Sequence, residues 1–155
     1  MNRKTDYAIL CSQMQELAAE EPFYVPLLAN ASALICETLP KLNWAGFYLM
    51  RQERLVLGPF QGRAACIHIE RGKGVCGTAA AENRTVRVKN VHEFPGHIAC
   101  DGASNSEIVV PLRREGNVVG VLDLDSPEFD RFSAEDQAGL EQLARVIEQR
   151  MEGWA

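Results

Sequence analysis

The sequence predicts a single α+β domain, a central antiparallel sheet packed by N- and C-terminal helices, with one long loop reserved for a site. Three observations predict it. Apolar residues recur at helical spacing near the two ends of the 155-residue chain. Between them the composition turns strand-like, with aromatic and β-branched residues bounded by polar turns. A hydrophobic fraction of 46% fills one sizeable core, and the length is too short for two ordinary domains. The expected layout is one unit over 1–155, with N-terminal helices over 4–39, sheet and site loops over 43–125 and a C-terminal helix over 133–152.

Tyr7, Leu10, Cys11, Met14, Leu17 and Ala18 form the first helical stripe, which stops at Glu21-Pro22 because a residue before proline avoids helical angles. A second helix is expected over Pro26 to Leu39. Strands are expected over Asn43 to Arg51, Arg54 to Phe60, Ala64 to Glu70 and Thr85 to Val88, with Gly72-Lys73-Gly74 opening a short helix near Val75 to Asn83. Glu107 to Arg113 and Val118 to Asp125 flank Arg114-Glu115-Gly116-Asn117, whose glycine accepts a positive backbone angle, so these strands should form a hairpin. Ser133 followed by Asp136 resembles a capping box ahead of the stripe Leu140, Leu143, Ala144, Ile147 and Met151. The stretch from Lys89 to Leu112 contains a loop too long for a mere connector, and such loops tend to carry function.

A net charge of -5 and a pI near 5.2 offer no clustered cations for a nucleic acid. The amino terminus alternates polar and apolar residues, so neither a signal peptide nor a membrane span is expected and the cytoplasm is the expected compartment. Five cysteines are an odd number, which argues against a permanent disulfide framework.

Residues two apart in a strand share a face, so Asp123 and Asp125 point together while Leu122 and Leu124 point away. Glu107, opening the partner strand, can join them. Repulsion and burial in such a cluster raise at least one pKa, letting it hold an ammonium on ionised members and deliver a proton from a protonated one. The alternative is a pair of strand-end acids in solvent. Trp44 and Tyr48, four apart in another strand, share a face that either walls a pocket for a small apolar group or belongs to the core.

Cys66, Cys76 and Cys100 lie in or beside the glycine-rich and loop segments, whereas Cys11 and Cys36 fall in helical stripes and are expected in the core. Cys66, His68, Cys76, His92, His97 and Cys100 lack the close paired spacing of common zinc sites, so no metal is expected and His92 and His97 are read as loop hydrogen-bonders.

The segments PFQGRAACIHIERGKGVCGTA, VHEFPGHIACDGASNSEIVVPL and GVLDLDS together resemble the free methionine-(R)-sulfoxide reductase family, which has a GAF fold. The likeness is close over about 40–130 and includes three cysteines at the family's relative spacing. Asn90 departs from it, standing where an acid is expected. The resemblance implies a GAF-like domain in which Cys100 attacks the sulfoxide sulfur, Cys66 resolves the product and Cys76 assists or replaces Cys66. It also implies that Glu107, Asp123 and Asp125 surround the ammonium and sulfoxide of free methionine-(R)-sulfoxide, with Trp44 and Tyr48 near its methyl group and Asp123 in the chemistry. No bound cofactor is implied. The implied cycle runs through a cysteine sulfenic acid and an intramolecular disulfide, with thioredoxin as external reductant, in the service of oxidative-stress repair. A homodimer through the terminal helices is expected. The rival expectation is a non-catalytic GAF module sensing a small ligand, which would ordinarily regulate an attached output domain not seen in this sequence.

Overall fold

Residues 4–97 and 102–155 are described by the computed structural model. Helices α1 (Tyr7–Glu20) and α2 (Tyr24–Thr38) precede strands β1 (Trp44–Arg51), β2 (Arg54–Gly62) and β3 (His68–Glu70). Helix α3 (Gly74–Glu82), strand β4 (Val86–Val88), a 3-10 turn (Val91–Glu93), strands β5 (Ser106–Arg114) and β6 (Asn117–Ser126) and helix α4 (Ala134–Arg150) follow. The strands form one six-stranded sheet in the order β3-β2-β1-β6-β5-β4. Every pairing is antiparallel. The α+β architecture expected from the patterning is the one observed.

Alternation along the strands sends apolar residues into two layers. Ala45, Phe47, Leu49, Ile108, Val110, Leu112, Leu122 and Leu124 face α1, α2 and α4 and form the larger core with them. Trp44, Tyr48, Val109 and Val121 face the other way, against α3 and its residues Val75, Cys76, Ala79 and Ala80. The terminal helices thus occupy one face only, which leaves the opposite face to a short helix and loops.

Local chemistry explains most element ends. Asp6 caps α1 by accepting from the Ile9 amide at 3.1 Å. The expected capping box is present: Ser133 accepts from the Asp136 amide, and the Asp136 carboxylate accepts from the Ser133 amide. The β5–β6 strands extend one residue further than expected, leaving Glu115 (φ 53°) and Gly116 (φ 81°) as a two-residue turn whose positive angles match the strand twist.

Helix α2 begins before Pro26, because a proline in the first turn sacrifices an amide that has no intrahelical partner. The strand expected over 64–70 shrinks to His68–Glu70. Side chains from β1 take one carbonyl just before the lost portion and one within it: the Trp44 indole donates to Arg63 at 3.1 Å and the Tyr48 hydroxyl to Cys66 at 3.0 Å. Cys36 is exposed rather than in the core. The seam of α2 runs through Leu28, Ala31, Ser32 and Ile35, and Cys36 sits one residue past it, rotated out. Cys11 is only partly buried.

The short helix α3 lies close to the sheet because it is built from small residues. A Cβ on Gly77 would come within 2.3 Å of the Glu70 carbonyl oxygen, a backbone atom that cannot swing aside. Gly77→Ala is therefore expected to cost about 1–3 kcal/mol, roughly 2–4 °C in melting temperature per kcal/mol, as overpacking does. A melting curve that matched the parent would refute this close approach.

Candidate active site

The sheet register builds the site. Trp44 pairs with Asp125, and Asp125 pairs with Glu107, so one row across β1, β6 and β5 carries an indole and two carboxyl groups. In the next row Gly46 pairs with Asp123 and Asp123 with Val109. Period two puts all of these on the face away from the terminal helices. Tyr48 follows on the same face, its ring 5.9 Å from that of Trp44.

A β-bulge completes the aromatic wall. The β1–β2 register shifts between Gly46 and Tyr48, where Gly46 faces Phe60 and Tyr48 faces Leu57. Without the extra residue, Leu57 and Phe60 would fall on opposite faces. With it, Phe60 stacks on Trp44 at 5.1 Å. Gly46 is required here, since a Cβ would lie 2.3 Å from that of Phe60.

Glu107, Asp123 and Asp125 are 8%, 5% and 8% exposed, so all three are buried acids and not strand-end groups in solvent. Cys76, from the first turn of α3, joins them, its Sγ 3.9 Å from Glu107 Oε2. Burial pushes the Glu107 carboxyl well above its ordinary range, and the neighbouring charges of Asp123 and Asp125 push it further. Asp123 is also raised by burial, less so because Glu107 and Cys76 donate to it. The Cys76 thiol is held well above its usual value by burial and by the three carboxyl groups. Tyr48 is raised by burial and by the same acids, Asp123 first among them. Among the described residues, one buried acceptor of the cluster, Asp123 Oδ1, is thus left without a donor.

The described parts of the long loop, on either side of 98–101, reach this face, and both ends of the loop are pinned. Val91 donates to Asn105 at 3.0 Å, Asn105 to Ser126 at 2.8 Å, and Asp130 to Lys89 at 2.9 Å. His92 shares a 2.8 Å hydrogen bond with the Asn105 side chain. Asn90, where an acid was expected, accepts from the His92 amide as a carboxylate would. The result is a cavity lined by Trp44, Tyr48, Cys76, Glu107, Asp123 and Asp125, with His97 and Ser104 from the loop and Lys73 and Gly74 at the start of α3.

Trp44, Tyr48, Cys76, Glu107, Asp123 and Asp125 are therefore brought together around one cavity. Cys76 reaches it from the first turn of α3, the short helix expected near Val75 to Asn83. Cys66 lies beside it through the bond to Tyr48, is partly buried and is disulfide-bonded, whereas Cys11, Cys36 and Cys76 are free thiols. Cys100, the expected nucleophile, lies outside the described residues. His97, expected as a loop hydrogen-bonder, lines the cavity. Burial, and then His92, lower its pKa. Gly46 was legible from the same alternation that picked out Trp44 and Tyr48, but Ser104, 6% exposed, has no local signal. Cys76 Sγ and carboxylate oxygens of Glu107 and Asp123 lie within 4.8 Å of one another, a spacing open to a metal ion although none was expected.

The raised acids make a stability prediction. A group whose folded pKa exceeds its unfolded one stabilises the fold below the unfolded pKa and loses that contribution as pH climbs through the folded value. For Glu107 the loss starts near 4.5 and continues upward. Glu107→Gln should melt several degrees above the parent at pH 8 and coincide with it at pH 4. An equal gap at both pH values would show that Glu107 ionises freely.

The GAF domain family model matches residues 28–152. The free methionine-R-sulfoxide reductase of Escherichia coli (strain K12) is 53% identical over 148 residues, covering 96% of this chain and 90% of that protein. The fRMsr of Staphylococcus aureus, solved in complex with substrate, superposes with a TM-score of 0.91 at 47% identity, covering 97% of this chain and 99% of the other. The free methionine-R-sulfoxide reductase of Neisseria meningitidis, in complex with its substrate, gives 0.91 at 41% identity, covering 98% and 94%. Among the described residues no helix is long and apolar enough to cross a membrane. With the likeness running the length of the fold, the chain belongs to the GAF-domain family and, within it, to the free methionine-R-sulfoxide reductases.

Proposed function

We propose that this protein reduces free L-methionine-(R)-sulfoxide to L-methionine. The observation that carries the reading is the buried cluster of three acids set against an aromatic wall. A substrate ammonium answers the ionised members of Glu107, Asp123 and Asp125, while the faces of Trp44 and Tyr48 suit the methyl group. Sulfoxide oxygen leaves only once protonated, and an acid whose burial and acidic neighbours raise its pKa, as those of Glu107 do, is suited to deliver a proton.

In the proposed cycle the Cys100 thiolate attacks the sulfoxide sulfur, and oxygen transfer releases methionine and leaves Cys100 as a sulfenic acid. The Cys66 thiol condenses with it, forming a disulfide and releasing water. Thioredoxin then gives up two electrons and two protons by thiol–disulfide exchange, restoring both thiols and becoming oxidised itself. Cys66 is favoured over Cys76 as the resolving thiol, because burial and the acids oppose a thiolate at Cys76. A cytoplasmic setting, where thioredoxin is available, and a homodimer through the terminal helices belong to the same reading, which needs no bound cofactor.

The test is methionine formation from the separate R and S epimers of the free amino acid, with a thioredoxin system as electron source. Turnover of R alone is expected, and N-acetylation should reduce it strongly by removing the ammonium. Equal rates on the acetylated substrate would rule out the acidic cluster as its binding site.

A further inference from the structure

The same cavity has a property that ammonium recognition does not require: one of its buried acceptors is sulfur. Cys76 Sγ, Glu107 and Asp123 present three ligand atoms within 4.8 Å of one another, all from residues at most 8% exposed. They come from three rigid elements, α3, β5 and β6. Asp123 is 5% exposed, lines the cavity, and has its Oδ1 without a partner among the described residues. Among the described residues, that atom is a buried acceptor with no donor.

We infer that Cys76, Glu107 and Asp123 form a binding site for a thiophilic divalent cation, of which Zn²⁺ is the type, and that the cation blocks the substrate cavity. Zinc takes thiolate sulfur at about 2.3 Å and carboxylate oxygen at about 2.0–2.2 Å, so tetrahedral ligand atoms stand roughly 3–4 Å apart. Side-chain shifts of about 1 Å therefore close this set, and the open side of the cavity supplies the fourth position. The sulfur ligand selects against Mg²⁺ and Ca²⁺, which prefer oxygen donors in larger number.

Without a metal, burial and mutual repulsion favour the protonated forms of these groups. A divalent cation reverses that balance, because a coordinated thiol is deprotonated outright and two charges on the ion face three on a thiolate and two carboxylates. Binding therefore releases protons and weakens as the pH falls. It also takes the position proposed for the substrate ammonium. Competition with methionine sulfoxide rests on the function proposed above, whereas metal binding itself does not.

Cobalt reports the thiolate directly. The whole protein, with Cys66 kept in its disulfide, is titrated with Co²⁺ at pH 8 and read by its near-ultraviolet thiolate-to-cobalt charge-transfer band. One equivalent per chain is expected, displaced by Zn²⁺ and weaker at pH 6. Cys76→Ser should lose the band. Glu107→Gln and Asp123→Asn keep the thiol and should keep the band at affinities lowered about tenfold or more, which separates a lost ligand from a lost fold. Cys36→Ser, at an exposed thiol, should change nothing. Absence of the band in the parent, its survival in Cys76→Ser or its loss in Cys36→Ser would overturn the site. Cobalt binding that methionine sulfoxide fails to displace would leave the metal site standing and count against the proposed substrate pocket.

Discussion

Cys100→Ser should show no measurable turnover of methionine-(R)-sulfoxide, whereas Cys66→Ser should form one methionine per chain and then stop. The two outcomes differ because the two sulfurs have different tasks. A serine hydroxyl at neutral pH neither attacks sulfur nor accepts the two-electron oxidation that ends in a sulfenic acid, so nothing in Cys100→Ser receives the oxygen. With Cys66 removed the first step still occurs, but the sulfenic acid lacks its partner and thioredoxin has no disulfide to reduce. Rapid-quench counting of methionine per chain, followed by trapping of the sulfenic acid with dimedone, reads both predictions. Multi-turnover activity in Cys100→Ser would end the mechanism. Sustained turnover in Cys66→Ser would move the resolving role to Cys76, against the buried acidic surroundings that oppose its thiolate.

The second large effect is expected at Asp123, with activity and stability moving in opposite directions. Its carboxylate sits in the middle of the acidic face, paired through the backbone with Gly46 and Val109, and its Oδ1 finds no partner among the described residues. Truncating one member of a buried charge pair costs about 2–5 kcal/mol, so Asp123→Asn should lower kcat/KM by about 100-fold or more. The free protein should nonetheless melt no lower than the parent, and higher above neutral pH, since an uncompensated buried charge has been removed. Such an exchange of stability for activity is common where a site must hold groups the fold would reject. Near-parental kcat/KM in Asp123→Asn would remove this carboxylate from substrate binding. A lower melting temperature would show that its partners within the cluster outweigh its burial.

Much of this site is legible in the linear pattern. Alternation alone places Asp123 beside Asp125 and Trp44 beside Tyr48, and the hairpin turn at Glu115-Gly116 brings Glu107 opposite Asp125. The same alternation includes Gly46, which attracts no notice because a glycine carries no chemistry of its own. Other features resist local reading. Phe60 reaches the aromatic wall only through a bulge, and no residue in β2 announces it. Cys76 falls in the expected short helix, but its thiol meets the acids only once α3 is folded against the sheet. Cys36 reads as core until the buried seam of α2 is fixed to one side of it.

By itself the sequence determined the α+β class, the Ser133–Asp136 capping box, the β5–β6 hairpin and the faces on which the acids and aromatics lie. Those are short-range properties, set by the 3.6- and 2-residue periods and by which residues tolerate positive φ. Only the tertiary structure decided that the acids are buried, that Glu107 is raised above its ordinary range, and that Cys76 and Asp123 Oδ1 meet in one cavity. Burial and charge repulsion depend on what covers a face, and here the cover includes α3 and the described loop residues His97 and Ser104, none of them adjacent in sequence to Asp123.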